Sequence, residues 1–85
     1  MPEIEIGKVT HYFGHLNVAA MQIASGSLAV GDTIHIKGHT TDVTTRVESM
    51  QVNHVEVREA LVGDAVGLRV PGHVREHDRV FKVTP

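Results

Sequence analysis

A short phrase, Gly-Asp followed by any residue and then an aliphatic one, occurs twice in this chain and constrains how it folds. It is found at Gly31-Asp32-Thr33-Ile34 and again at Gly63-Asp64-Ala65-Val66. Glycine adopts the positive φ that ends a tight turn without steric cost, and an aspartate carboxylate accepts a backbone N–H in such a turn. Each copy therefore predicts a turn that opens a β-strand.

A third, degenerate copy stands at His77-Asp78-Arg79-Val80, with histidine in the place of glycine. Histidine is among the non-glycine residues that are enriched at positive φ. We therefore interpret His77 as a turn residue rather than as a ligand. The residues predicted to have structural roles in these turns and the strand after the second one are Gly31, Asp32, Gly63, Asp64, Gly67, His77 and Asp78.

The composition favours strands over helices. The chain has 14 Val and 5 Ile against 4 Leu, and β-branched side chains suit an extended backbone. A chain of 85 residues has room for one small core. We predict a single all-β domain over residues 1–85. The chain contains no Trp and no Cys. The absence of Cys excludes disulfides, thiolate zinc sites and cysteine nucleophiles.

Turn signals separate six strand-like runs, at residues 5–13, 18–23, 33–37, 41–52, 65–70 and 79–84. The fourth run changes its apolar phase, which predicts a β-bulge or sharp bend near Ser49, because one extra residue moves the side chains to the other face. Residues 55–60 are predicted to form at most a helical turn.

Alternation of apolar residues predicts which side chains face the core. The inward set is Ile34, Ile36, Val66, Leu68, Val70, Phe81 and Val83. Lys82 is predicted to point outward. The first run has apolar residues in mixed phase, at Ile4, Ile6 and Val9, so alternation does not define its inward face.

The order of these phrases carries a resemblance to a known family. The pattern runs through Leu28, Gly31-Asp32-x-Ile34, Ala60, Gly63-Asp64-x-Val66-Gly67 and Asp78-x-Val80. It resembles domain 2 of translation elongation factors such as elongation factor Tu. The stretches at residues 7–13 and 37–42 resemble a group of short, stand-alone elongation-factor-like proteins. Related barrels also occur as appended modules of some peptidase-like proteins.

The resemblance implies a small six-stranded antiparallel closed barrel of the Greek-key type. It also implies a non-catalytic binding module that contacts tRNA, rRNA or a protein of the translation system. The chain departs from the long factors at Asn17, Met21 and Gln22, where those factors have a glycine-rich stretch and an arginine. Their contacts to tRNA and to their own G domain in this region are therefore not carried over.

The chain lacks the sequence motifs of a GTPase. It contains neither a Gly-x-x-x-x-Gly-Lys-Ser/Thr phosphate loop nor an Asn-Lys-x-Asp guanine motif. Asp64-x-x-Gly67 fits a switch pattern loosely, but it stands at the start of a predicted strand. Ser25, Ser27 and Ser49 lie in no nucleophile-elbow context. We expect no catalysis, no nucleotide and no cofactor.

Three of the 7 histidines follow a glycine, at Gly14-His15, Gly38-His39 and Gly72-His73. If the six strands alternate in direction, the three loops lie at one end of the barrel. His15, His39 and His73 could then ligate a zinc-like ion and give a metal-binding protein or a metal-dependent enzyme. The alternative, which we favour, is that these are exposed turn residues too far apart for one ion.

The binding surface predicted from charge lies near the C-terminal end. Arg69, Arg75, Arg79 and Lys82 stand there against only Glu76 and Asp78. Arginine binds phosphate in a bidentate manner, and His73 or Tyr12 could add base stacking. The alternative is that these cations are only solvated strand residues. With three aromatic residues in the chain, paired aromatic platforms for RNA are not predicted.

The remaining expectations concern location and partners. The formal net charge is −2, which argues against binding polyanions by bulk charge. Residues 9–31 contain no Asp, Glu, Lys or Arg, but their histidines, polar residues and glycines exclude a membrane span. The N-terminal stretch has no signal-peptide pattern. We expect a cytoplasmic protein whose partner is RNA or a translation protein, or else an accessory or self-associating subunit of undetermined oligomeric state.

Overall fold

The computed structural model describes residues 2–84, and it contains ten strands and no helix within that range. The strands are β1 (Glu3–Phe13), β2 (Val18–Ile23), β3 (Ser27–Ala29), β4 (Thr33–Lys37), β5 (Asp42–Arg46), β6 (Met50–Val52), β7 (Val55–Val57), β8 (Glu59–Leu61), β9 (Ala65–Arg69) and β10 (Arg79–Val83). The prediction of an all-β domain is confirmed. Within this part of the chain no helix is long and apolar enough to cross a membrane.

The strands form one large sheet and one small sheet. The large sheet has eight strands in the order β5-β4-β10-β1-β2-β9-β6-β7, and β3 pairs with β8 in the small one. All neighbouring strands pair in antiparallel fashion, as predicted. The hydrogen-bonded order begins at β5 and ends at β7, so closure of the sheet into a barrel stays a prediction.

The strand count differs from six because the chain turns more often than the sequence pattern indicated. The long fourth run breaks at residues 47–49 into β5 and β6, close to the bend predicted at Ser49. The predicted helical turn at residues 55–60 is wrong, since this segment forms β7 and β8. Asn53 and His54 have φ values of 54° and 63°, which close a tight two-residue hairpin and return the chain alongside β6.

The mixed apolar phase of the first run has a structural cause. The register of β1 shifts against β10 between Glu5 and Gly7, and against β2 between Val9 and His11. An extra residue at such a shift moves the following side chains to the other face. Ile6 and Val9 are therefore both buried, although they differ in parity.

The core consists of 16 buried apolar side chains contributed by most of the strands. Ile34, Ile36, Val66, Leu68 and Val70 face it, as the alternation predicted. Fully burying an aliphatic side chain of this size contributes roughly 1.5–3 kcal/mol. These side chains are the main source of stability for a chain without disulfides.

The predicted phase of the last strand is wrong. Val80 is fully buried, whereas Phe81 and Val83 are only partly buried. Lys82 shares the phase of Val80, and its Nζ donates a hydrogen bond of 3.2 Å to the Ser27 carbonyl oxygen. The long aliphatic stem of lysine allows this, because the stem covers apolar surface while the ammonium group reaches a polar partner.

Three turns share one set of hydrogen bonds. In each, the aspartate Oδ2 accepts a backbone N–H from the residue three positions earlier. The N to Oδ2 distances are 2.9 Å from Ala29 to Asp32, 2.9 Å from Leu61 to Asp64 and 2.8 Å from Arg75 to Asp78. The preceding residue has positive φ in all three turns, at 99° for Gly31, 95° for Gly63 and 73° for His77.

Each turn is also bonded to a buried residue elsewhere in the chain. The turns at Asp32, Asp64 and Asp78 exchange two backbone hydrogen bonds of 2.8–3.0 Å with Val47, Ile23 and Val9, respectively. Val47 lies in the break after β5, Ile23 ends β2, and Val9 adjoins the register shift of β1. The turns therefore supply hydrogen-bond partners to buried backbone groups at places where the strand ladders are interrupted.

Candidate functional site

A basic groove lies beside the third turn. We use this name for the groove lined by Lys37, Gly38, His39, Thr40, Arg75, Glu76, His77, Asp78 and Arg79. It forms because β10 starts where β4 ends, and Arg79 is directly opposite Lys37 in the strand register. The 70–78 segment then places Arg75 at the same end of the sheet.

The floor of the basic groove is closely packed. Asp78 is only 7% exposed, and its carboxylate accepts the Arg75 N–H. A Cβ atom on Gly38 would lie 1.9 Å from Asp78 Oδ1, so only glycine allows these two segments to approach this closely. The floor carboxylate is thus already bonded to the backbone, and it faces Gly38 rather than solvent.

The side chains of the basic groove keep an excess of positive charge. Arg79 has one weak carboxylate contact, with its Nε 4.0 Å from Glu5 Oε2. Glu76 lies 3.3 Å from His11 Nδ1 on β1. Both pairs are exposed, and ion pairs of this type contribute little because solvent screens them. Lys37 and Arg75 make no ion pair with any residue in the 2–84 range.

The four predicted cations are not brought together in one place. Arg75 and Arg79 share the basic groove, but Arg69 lines a separate groove with Arg46. The Nζ of Lys82 lies 3.4 Å from Asp32 Oδ2 and donates a hydrogen bond to the Ser27 carbonyl oxygen. Its charge is therefore paired within the domain. Sequence reasoning missed Lys37 and Arg46, and only the pairing of β4 with β10 reveals that Lys37 faces Arg79.

The glycine-linked histidines are exposed, and they occupy separate loops. His15 lies in the β1–β2 turn, His39 in the basic groove and His73 against Tyr12, with ring centroids 4.7 Å apart. β1, β4 and β9 do run in the same direction, so the loops after them share one end. In the described chain, no three or more His, Cys, Asp or Glu side chains form a group that could hold a metal ion.

An unpredicted network surrounds His35 on the outer face of β4. Its Nδ1 lies 2.8 Å from Glu3 Oε2 on β1, and its Nε2 is hydrogen-bonded to Asp42 Oδ1 on β5. Hydrogen bonds to Asp42 and then to Glu3 raise the pKa of His35 above its ordinary value of 6.5. No short sequence spacing signals this network, because Glu3 and His35 are far apart in the chain.

A second groove, which we call the apolar groove, lies on the outer face of β2 and β9. Its principal lining residues are Phe13, Leu16, Val18, Ala20, His54 and Gly67. None of its lining residues is Asp, Glu, Lys or Arg. Phe13 and Leu16 at its rim are 40% and 55% exposed. Four of its lining residues come from the uncharged 9–31 segment, and the sequence analysis assigned no function to any of these four: Phe13, Leu16, Val18 and Ala20.

The domain 2 pattern recognised in the sequence is matched by a family model for elongation factor Tu domain 2, over residues 17–80. The chain belongs to the elongation factor Tu domain 2 family. The fold agrees, since the C-terminal domain of a Geobacillus thermoleovorans protein assigned to the U32 peptidases superposes with a TM-score of 0.86. That match covers 93% of this chain and 91% of that domain at 18% identity, and it supports the fold alone.

Similar members of the family carry peptidase names. An uncharacterized protease of Methanocaldococcus jannaschii is 42% identical over 80 residues, which is 93% of this chain and 19% of that protein. A collagenase of Porphyromonas gingivalis is 36% identical over 81 residues, or 94% of this chain and 20% of that protein. The chain therefore spans about one fifth of the length of these relatives. The domain 2 resemblance is confirmed, but these relatives are not stand-alone elongation-factor-like proteins.

Proposed function

We propose that the chain is a non-catalytic accessory module that acts by contact with a larger peptidase-like protein. The proposal rests on how small a part of each relative this chain matches. Nearly all of this chain matches about one fifth of a protease from M. jannaschii and of a collagenase from P. gingivalis. In such proteins a module of this kind is joined to a body several times its own size.

The roles of the acidic side chains support a non-catalytic module. Asp32, Asp64 and Asp78 accept backbone N–H groups within turns, and Glu3 and Asp42 are bonded to His35. A general base or nucleophile must instead face a site where substrate can reach it. The three turn carboxylates therefore serve the fold rather than a reaction.

A chimera tests the accessory role. The matching 80 residues of the M. jannaschii protease are replaced by this chain, and unfolding of the chimera is followed by calorimetry beside the isolated chain. Contact with the body should raise the unfolding temperature of the module by several degrees. Unfolding at the same temperature in both proteins would contradict the proposal. Gelatin or casein cleavage by the isolated chain would overturn its non-catalytic part.

A second candidate function is RNA binding in the translation system, and the basic groove favours it. Lys37, Arg75 and Arg79 line one groove, and its floor carboxylate, Asp78, is occupied by a backbone N–H. Guanidinium groups bind phosphate oxygens in pairs of hydrogen bonds. The exposed His39 and His77 add donors along the same groove.

Fluorescence anisotropy with labelled tRNA and a labelled single-stranded oligonucleotide tests this candidate. The Arg75→Ala/Arg79→Ala double variant should bind at least tenfold more weakly, with a smaller dependence on salt, because fewer phosphates are neutralised. Arg58→Ala is the matched control, since Arg58 is exposed and lies outside the basic groove. Absence of binding, or equal loss in the control, would rule out RNA binding by the basic groove.

A further inference from the structure

Gly67, to which the sequence analysis assigned a structural role, is a strand residue whose backbone and surroundings do not require glycine. It lies in the middle of β9, and its φ is outside the positive region that favours glycine. A Cβ built there would have Val18 Cγ1, at 3.9 Å, as its nearest neighbour, which is an ordinary contact. Glycine weakens a strand interior and often marks a place where another molecule approaches the backbone. Neither a positive φ nor crowding by neighbouring atoms therefore accounts for glycine at this position.

The side chains around Gly67 make this position the floor of the apolar groove. Val66 and Leu68 are buried at 1% and 3% exposure, so position 67 faces outward. Ala20 is directly opposite Gly67 in the β2–β9 register, and Gln51, which also lines the groove, is opposite it in the β6–β9 register. Two small residues side by side, with Phe13 and Leu16 rising at the rim, leave a depression that accepts a larger side chain from outside.

One rim of the groove is held in place by local backbone geometry. Asn53 and His54 both have positive φ and close the β6–β7 hairpin. A two-residue turn of this kind matches the twist of its strands and is rigid. A preformed groove loses less conformational entropy when it is occupied than a mobile one does.

The chemistry of the groove selects its occupant. Its lining contains no Lys or Arg, so it offers no cation for a nucleic acid phosphate. Phe13 and Leu16 are exposed, and covering them with an apolar surface is favourable in free energy. The relatives supply a candidate for such a surface, because about four fifths of each lies outside the matched module. Modules joined in one chain commonly pack through interfaces of this mixed, partly apolar type.

We propose that the apolar groove is the docking surface for the peptidase-like body, which inserts an uncharged segment with an apolar side chain over Gly67. This inference rests on the proposed accessory function and names the surface that performs it. The basic groove shares no lining residue with the apolar groove.

Hydrogen exchange in the chimera described above tests the docking surface. The reporter is the 14–17 turn, which carries Leu16 and is exposed in the isolated chain. Docking should slow exchange in this turn at least tenfold in the chimera relative to the isolated chain. Gly67→Val should abolish that slowing while leaving the isolated chain folded, which its urea unfolding checks, since a Cβ at position 67 has room and valine suits a strand.

A second pair of variants guards against indirect effects. Leu16→Ser removes a rim side chain that is 55% exposed, and Val62→Ser removes one that is 60% exposed on a different turn. Leu16→Ser should reduce the slowing of exchange in the 14–17 turn, and Val62→Ser should not. Equal effects of the two variants would overturn the assignment of the groove.

The remaining outcomes separate this inference from the accessory function on which it rests. Slowed exchange on another face of the chimera, with the 14–17 turn unchanged, would overturn the groove and leave the accessory function standing. No slowed surface at all would contradict both. Slowing that depends on the concentration of the isolated chain, and that Gly67→Val removes, would assign the groove to a second copy and overturn docking of the body.

Discussion

The third turn differs from the first two in its surroundings, although the hydrogen bonds inside all three are the same. At Asp32 and Asp64 the residue with positive φ is glycine, and the turns open strands near the outside of the domain. At Asp78 it is histidine, the carboxylate is buried, and Gly38 packs against it. The comparison separates two roles of one motif. The bonds hold the fold, and the neighbours of the third copy form a basic groove.

The largest effect is expected where the third turn is most crowded. Gly38→Ala places a Cβ on the Asp78 carboxylate and should destabilise the domain by about 2–3 kcal/mol, because the floor must shift. Gly67→Ala is the matched control, since its Cβ has room, and it should be neutral or slightly stabilising. Urea unfolding measures both. A neutral Gly38→Ala would show that the close approach is not constrained.

Removal of the turn carboxylates tests whether burial distinguishes the third copy. Asp78→Ala removes a buried carboxylate, leaves the partly buried Arg75 N–H without its acceptor, and should cost about 2 kcal/mol. Asp64→Ala should cost about 1 kcal/mol, because Asp64 and Leu61 are closer to solvent. Thermal or urea unfolding of the two variants gives the comparison. Equal losses would mean that the Asp64 and Asp78 turns are energetically equivalent despite their surroundings.

Substitution of the positive-φ residue should change the stability of the domain in opposite directions in two of the turns. Replacement of His77 by glycine relieves a left-handed backbone conformation and should stabilise the domain by about 0.5–1 kcal/mol, whereas Gly31→Ala introduces that strain and should cost about 1 kcal/mol. Both are measured by urea unfolding. Loss of stability in His77→Gly would indicate that the histidine side chain itself contributes to the turn.

The smallest effect on stability is expected at His35, whose imidazole is hydrogen-bonded to the Glu3 and Asp42 carboxylates. The pKa of His35 is raised above 6.5 by Asp42 and Glu3, so protonated His35 stabilises the folded state. That contribution is complete below pH 6.5 and is lost as pH rises through the higher folded-state pKa. It should amount to less than about 1 kcal/mol, because Asp42 is largely exposed and screened.

The His35 contribution is isolated by a difference measurement. The free energy of unfolding is compared between the natural chain and His35→Gln from about pH 5.5 to about pH 9, an interval that spans the titration of histidine. The natural chain should lose stability relative to the variant as pH rises. Parallel curves would contradict the contribution of the Glu3–His35–Asp42 network.

Some of the candidate sites could be predicted from local sequence and others could not. Arg75 and Arg79 lie close together in the sequence and share a groove, so charge counting found them. Lys37 joins them only through the pairing of β4 with β10, and Lys82 leaves them because its strand phase turns it toward Ser27. The apolar groove depends on the register that places Ala20 opposite Gly67, which no local pattern specifies.

Local sequence was enough to predict the fold class, the three turns and the resemblance to the family. Its β-branched composition and the repeated Gly-Asp phrase act locally, through backbone preferences and side-chain bonds to residues three positions away. The strand phase of Val80, the breaks that give ten strands and the lining of the two grooves follow instead from contacts between distant parts of the chain. Those features depend on register shifts and long-range pairing, where moving one residue reverses every side chain in a strand.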